Sequence, residues 1–110
     1  MKGREIIRKY KAGKRDFSRV TLRRAELGGA DLRDANLSWA YLGKANLCDA
    51  NLAGANLRGC NLVEANLRDA NLNNVDLRWA NLYEADVTSA QLAQARSLKG
   101  AIMPRGGRHE

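Results

Sequence analysis

From Phe17 to Leu92 a large apolar residue returns at every fifth position, through Leu22, Leu27, Leu32, Leu37, Leu42, Leu47, Leu52, Leu57, Leu62, Leu67, Leu72, Leu77, Leu82 and Val87. An α-helix turns about 100° per residue, so such a stripe would scatter around the whole helix. In a strand, side chains alternate between two faces, so residues five apart would point to opposite sides. Neither element buries this series. The chain must turn a corner about every five residues, each short side giving one residue to a shared interior. That is a coil, and coils bury a core only by stacking on their neighbours.

The other positions agree. Two before each centre stands a small residue, nearly always Ala, with Val20, Cys60 and Val75 as compact substitutes. One before the centre is usually Asn or Asp, which bonds its own backbone and favours turns. Stacked copies are expected to form ladders up the outside. The two residues after each centre vary freely, as in Arg33-Asp34, Ser38-Trp39, Gly43-Lys44 and Arg58-Gly59, and read as solvent-facing.

The runs Ala30-Asp31-Leu32, Ala45-Asn46-Leu47, Ala50-Asn51-Leu52, Ala65-Asn66-Leu67 and Ala80-Asn81-Leu82 resemble the A(D/N)LXX unit of pentapeptide-repeat proteins. The resemblance covers Arg15 to Gln94, or sixteen units. It implies an all-β fold, a right-handed quadrilateral β-helix of about four coils, with four units per coil. Stacked at a strand spacing of about 4.8 Å, these coils would make a rod roughly 19 Å long.

A rod of this kind needs caps, because its ends expose backbone donors, acceptors and an apolar cross-section. Ile6, Ile7 and Tyr10 lie at one-turn spacing among charged residues, which predicts a short N-terminal helix stopped near Gly13. The segment Tyr10 to Phe17 resembles the lead-in of cyanobacterial family members. At the other end the rhythm breaks, with Ser97 at an expected centre and Leu98 after it. Ile102, Met103 and Pro104 resemble the usual family terminus. The expected organisation is a helical cap over residues 1–14, repeats over 15–94, a C-terminal cap over 95–104 and a disordered, Gly-rich tail over 105–110.

The net charge of +7 suggests an anionic partner until it is mapped. Residues 1–14 carry six Lys or Arg against Glu5, and residues 95–110 carry four against Glu110. The repeats hold nine basic and ten acidic residues, so the basicity is terminal. With four units per coil, residues twenty apart share a face. The face of Phe17, Leu37, Leu57 and Leu77 then displays Arg19, Trp39, Arg58, Arg78 and Trp79, with both tryptophans in one column and Gly59 between them. These five residues are the candidate interaction surface. Exposed tryptophan beside arginine marks binding hot spots. The structural alternative is that both indoles shield neighbouring coils, stacked with Arg58 or Arg78 as cation–π pairs.

Catalytic chemistry is missing from the pattern. His109, the one histidine, sits in the tail, which supports neither a triad nor a metal site. Cys60 takes an interior slot and reads as a buried, inert thiol, while Cys48 points outward on another face, so no disulfide is expected. Two unpaired thiols predict a reducing compartment, the cytoplasm. No cofactor, metal or catalytic residue is expected, and no apolar run is long enough for a membrane span or signal peptide. The reading is a non-enzymatic structural or protein-interaction module, its partner another protein or a second copy. The resemblance adds an alternative, since some family members mimic DNA, bind DNA gyrase and protect it from quinolones. A third reading is contact with an anionic surface or nucleic acid through the basic N-terminal cap, not through the repeat body.

Overall fold

Asp16 pairs in parallel with Asn36, Thr21 with Tyr41, Glu26 with Asn46 and Asp31 with Asn51, and the series continues to Asn66 with Asp86. Each partner lies twenty residues on, so four five-residue sides complete one coil. The computed structural model describes residues 1–110, with overall dimensions of 37 × 23 × 22 Å. We name the sides by their centres: A (Phe17, Leu37, Leu57, Leu77), B (Leu22, Leu42, Leu62, Leu82), C (Leu27, Leu47, Leu67, Val87) and D (Leu32, Leu52, Leu72, Leu92). These centres and the small residues two before them, joined by Ile6 and Tyr10 from the N-terminal segment, form a core cluster of 30 buried residues, with Val20 and Val87 half-buried against it. Each side has only one bridged residue, so the sheet faces are built from single bridges rather than extended strands.

The backbone accounts for this geometry residue by residue. The Leu27 N–H donates to Asn46 O of the next coil at 2.8 Å, and the Gly29 N–H to Cys48 O at 2.8 Å. The Asn46 N–H returns to Ala25 O at 2.9 Å. At the corner, the Ala30 N–H closes a turn on Leu27 O at 3.1 Å. From Arg19 to Glu84 the residue two after every centre has φ between 57° and 72°, which makes each corner a type II turn. One donor per unit is left over, the N–H directly after the centre. The Asn or Asp side chain takes it, as where Asn56 Oδ1 accepts from the Arg58 N–H at 3.0 Å and Asn36 Oδ1 from Ser38 at 3.0 Å. That leftover donor is the physical reason for Asn and Asp at this position. Because the oxygens are used locally, the expected outer ladders shrink to two rungs, Asn36 on Asp16 and Asn46 on Glu26.

The N-terminal helix α1 spans Gly3–Lys11 and lays Ile6 and Tyr10 on the first coil. The Tyr10 hydroxyl donates to Arg33 O at 2.8 Å. At the other end the structure departs from a uniform repeat. A second helix, α2 (Ser89–Ala93), replaces the side expected around Leu92, although Leu92 still points inward and is 5% exposed. Thr88 and Gln91 form a reciprocal capping box at its start. The helical turn uses one residue more than a flat side, so the next pairings are Asp76 with Ser97 and Asn81 with Ile102, twenty-one apart. Ser97 is therefore not a centre. It takes the position before Leu98, which packs half-buried against the core. The tail also differs from the disordered segment expected over 105–110. It doubles back through an antiparallel bridge between Ile102 and Arg108, with the Gly100 N–H on His109 O and the His109 N–H on Ala101 O, both 2.7 Å. Its lack of apolar side chains is offset by backbone bonds to an otherwise open edge.

Candidate interaction surface

The corner between sides A and B carries the tryptophans. Arg19, Trp39, Gly59 and Trp79 occupy the left-handed position of successive turns, and the one-residue shift brings Gly100 beneath Trp79. Each indole lies across the glycine of the following coil. A Cβ on Gly59 would fall 2.6 Å from Trp39 Cδ2, and one on Gly100 equally close to Trp79 Cδ2. The column thus alternates Trp, Gly, Trp, Gly, each glycine providing the flat seat that its indole needs. Gly100 as the second seat was hidden in the sequence, because the register shift that places it comes from α2.

The seats shield only one side of each ring. Trp39 remains 46% exposed and Trp79 43%. Tyr41 and Tyr83 complete the molecule's exposed large hydrophobic residues, Tyr41 on side B and Tyr83 in the turn that leads from side B to side C. Side B and the two turns that bound it therefore hold all four. Tyr41 was legible as an aromatic on side B, but only its 55% exposure marks it as part of this surface.

The predicted arginines divide. Arg19 is exposed at the head of the tryptophan column. Arg58 and Arg78 lie in the adjacent column, one residue earlier in their turns. Arg78 is clasped by Asp76, its Nε 3.0 Å from Oδ1 and its terminal nitrogen 2.7 Å from Oδ2. Asp76 is 1% exposed and takes a second cation, Arg96, at 3.5 Å. The hydrogen bonds from Arg78 hold its carboxyl below the usual range despite burial. Arg58 is half-buried with no hydrogen-bond partner for Nε. Neither arginine stacks on an indole, in contrast to the expected cation–π pairs. The cation over Trp79 is Arg108 from the returning tail, 5.9 Å from the ring centroid, and no cation lies over Trp39. Arg78 favours Asp76 because the carboxylate two residues earlier meets its guanidinium bidentately.

A family model for pentapeptide repeats matches eight copies over residues 16–38, 30–69 and 60–96. The chain belongs to the pentapeptide-repeat family. Among solved structures, this pentapeptide-repeat chain is similar to HetL of the cyanobacterium Nostoc sp. strain PCC 7120, a protein involved in regulating heterocyst differentiation. The two are 44% identical with a TM-score of 0.63, over 86% of this chain and 43% of HetL. A pentapeptide repeat protein of the Arabidopsis thaliana thylakoid lumen is 36% identical with a TM-score of 0.65, over 81% of this chain and 58% of that one. The chain thus spans roughly half the length of these relatives. No curated protein sequence matches it.

Other chemistry on this repeat surface is sparse. No group of three or more His, Cys, Asp or Glu is placed to hold a metal ion. Cys60 is buried, donates to Leu37 O at 2.7 Å, and has its thiol pushed up to about 12 by desolvation. Cys48 is half-buried and free. No helix is long and apolar enough to cross a membrane.

Proposed function

We propose that the chain is a non-enzymatic interaction module. Its rigid rod, a right-handed quadrilateral β-helix as the family resemblance implies, presents the aromatic corner to another protein. The observation that carries this reading is that Trp39, Tyr41, Trp79 and Tyr83 all lie along side B, from its corner with side A to its turn into side C. The turn does not ask for tryptophan there. A left-handed backbone costs a bulky residue about 1–3 kcal/mol, and elsewhere in the chain the same position is filled by Gly, Asn, Asp, Glu, Lys or Arg and by no other aromatic residue. Two half-exposed indoles about 9.6 Å apart, two coil spacings, offer the kind of aromatic anchor that dominates protein interfaces. Arg19 and Arg108 give the rim a positive charge, whereas Arg78 is spent on Asp76 and serves the rod. HetL's regulatory involvement agrees with a protein that works by contact. Two unpaired thiols fit a reducing compartment such as the cytoplasm.

Photo-crosslinking tests the surface directly. A benzophenone amino acid in place of Tyr41 should give discrete adducts at cellular concentration, whether to another protein or to a second copy. The same group at Asn73 on side D should give none. Trp39→Asn with Trp79→Asn, which suits the left-handed backbone, should reduce the Tyr41 adducts about tenfold or more. Equal adducts from both positions, or none from either, would remove the proposal.

A further inference from the structure

The start of α1 is pressed unusually hard onto the first coil. Gly3 is buried, and a Cβ there would overlap the Glu26 carbonyl, 2.9 Å from its carbon. This contact brings Lys2 and Arg4 beside Arg23 and Arg24 of the turn between sides B and C. Together with Met1, Ala25 and Glu26 they border an open cavity of about 380 Å³ at the opposite end of the rod from the returning tail.

The four cations are unpaired. The ion pairs of the molecule join Lys9 to Glu5, Arg33 to Asp31, Lys44 to Glu64, Arg68 to Asp86, and both Arg78 and Arg96 to Asp76. None involves Lys2, Arg4, Arg23 or Arg24. The repeat itself shows why. Arg33 and Arg78 each stand two residues after an Asp that clasps them, whereas Arg23 stands two residues after Thr21. Thr21 also leaves the Arg23 N–H with no protein acceptor. One coil further on, Lys44 occupies the position of Arg24 and has Glu64 as its partner. The only carboxylate at the cavity, Glu26, accepts from Asn46 Nδ2 at 3.1 Å.

We propose that this cavity binds the clustered phosphates of a small polyphosphorylated molecule. Its volume lies within the roughly 300–1,000 Å³ of small-molecule sites, and four cations without ion-pair partners, set against the one carboxylate of Glu26, match a compact polyanion. Arginine forks and lysine ammonium groups are the donors that phosphate oxygens select. The site involves neither the aromatic corner nor its partner, so the two proposals stand or fall separately.

Calorimetric titration of the full chain with inorganic tripolyphosphate tests it. Saturable one-to-one binding is expected, weakening as sodium chloride is added. Arg23→Gln with Arg24→Asn should weaken binding about tenfold or more, and Lys2→Gln with Arg4→Gln should do the same from the helix side. Two pairs on different elements guard against a loss caused by misfolding, which circular dichroism would report. Lys99→Gln with Arg105→Gln removes the same charge at the far end and should leave affinity within about twofold. The proposal is overturned if that control weakens binding equally, or if no saturation occurs by about 10 mM. Binding to phosphatidylglycerol vesicles without binding to tripolyphosphate would overturn it as well, by assigning the cations to a lipid surface.

Discussion

Asn and Asp recur because one amide per unit has nowhere else to go. The exceptions test this account. Where Thr21, Glu26 or Tyr41 takes the position, the N–H of Arg23, Gly28 or Gly43 has no protein acceptor. Thr21→Asn should therefore stabilise the fold by about 0.5–1.5 kcal/mol, and Asn56→Ala should cost about 1–2 kcal/mol, both read from urea midpoints. The Asp residues of the same position add a pH dependence. Hydrogen bonds from Arg33 hold Asp31 at about 2 against an ordinary 3.8, and Arg78 lowers Asp76. A lowered folded value means stabilisation fully present above about pH 4, lost as pH falls through the folded value and gone for Asp31 below about pH 2. Asp31→Asn with Asp76→Asn keeps both turns, as Asn36 and Asn56 do on side A. Urea midpoints of the double variant should fall less steeply from pH 5 to pH 2 than those of the parent, which an unchanged slope would contradict.

At the scale of elements, α2 is where the uniform repeat gives way, and Gln91 makes that possible. Its Nε2 donates to Leu67 O at 2.7 Å and Ala70 O at 3.0 Å, carbonyls of the preceding coil. In a regular coil the Ala70 carbonyl would take the backbone N–H of this same position, as Ala65 O takes that of Asp86. The side chain thus replaces the backbone bond that the helix withdraws, while its Oε1 accepts from the Thr88 N–H at 2.9 Å. Gln91→Ala should cost about 2–4 kcal/mol, a helix cap plus the Ala70 carbonyl left unmet, measurable by thermal denaturation. The period of five made the coils, their faces and the column of Trp39 and Trp79 readable, because each depends on the repeat alone. What stayed hidden depends on a local competition. Leu92 keeps the leucine spacing, so the pattern runs through α2 unbroken, and Thr88 to Gln91 carries the helix signal inside a repeat-like frame. The inserted residue then moves Ser97, Leu98 and Gly100 by one. Asp76 likewise looked like any turn aspartate, since its second cation, Arg96, is delivered by the same shift.

The whole molecule joins a neutral rod to charged ends, and its cooperativity decides whether those ends and the aromatic corner act as one body. The coil holding Leu57, Leu62, Leu67 and Leu72 lies between the coils of the two tryptophans. Those four leucines are no more than 2% exposed because coils above and below cover them. Splitting the stack here would uncover leucine on both broken faces, at about 1.5–3 kcal/mol per side chain fully exposed. Four such losses approach the whole stability of a small domain, about 5–15 kcal/mol. A half-melted rod is therefore a poor intermediate, although a repeat array has the freedom to unravel from one end. Trp39→Phe and Trp79→Phe leave one indole each as a local reporter on the two sides of this coil. Corrected for the stability change of each substitution, their urea transitions by fluorescence should share one midpoint and one slope with circular dichroism. An earlier transition at Trp79 would mean that the coil closed by α2 frays independently. The aromatic corner would then present only its upper indole on a rigid frame.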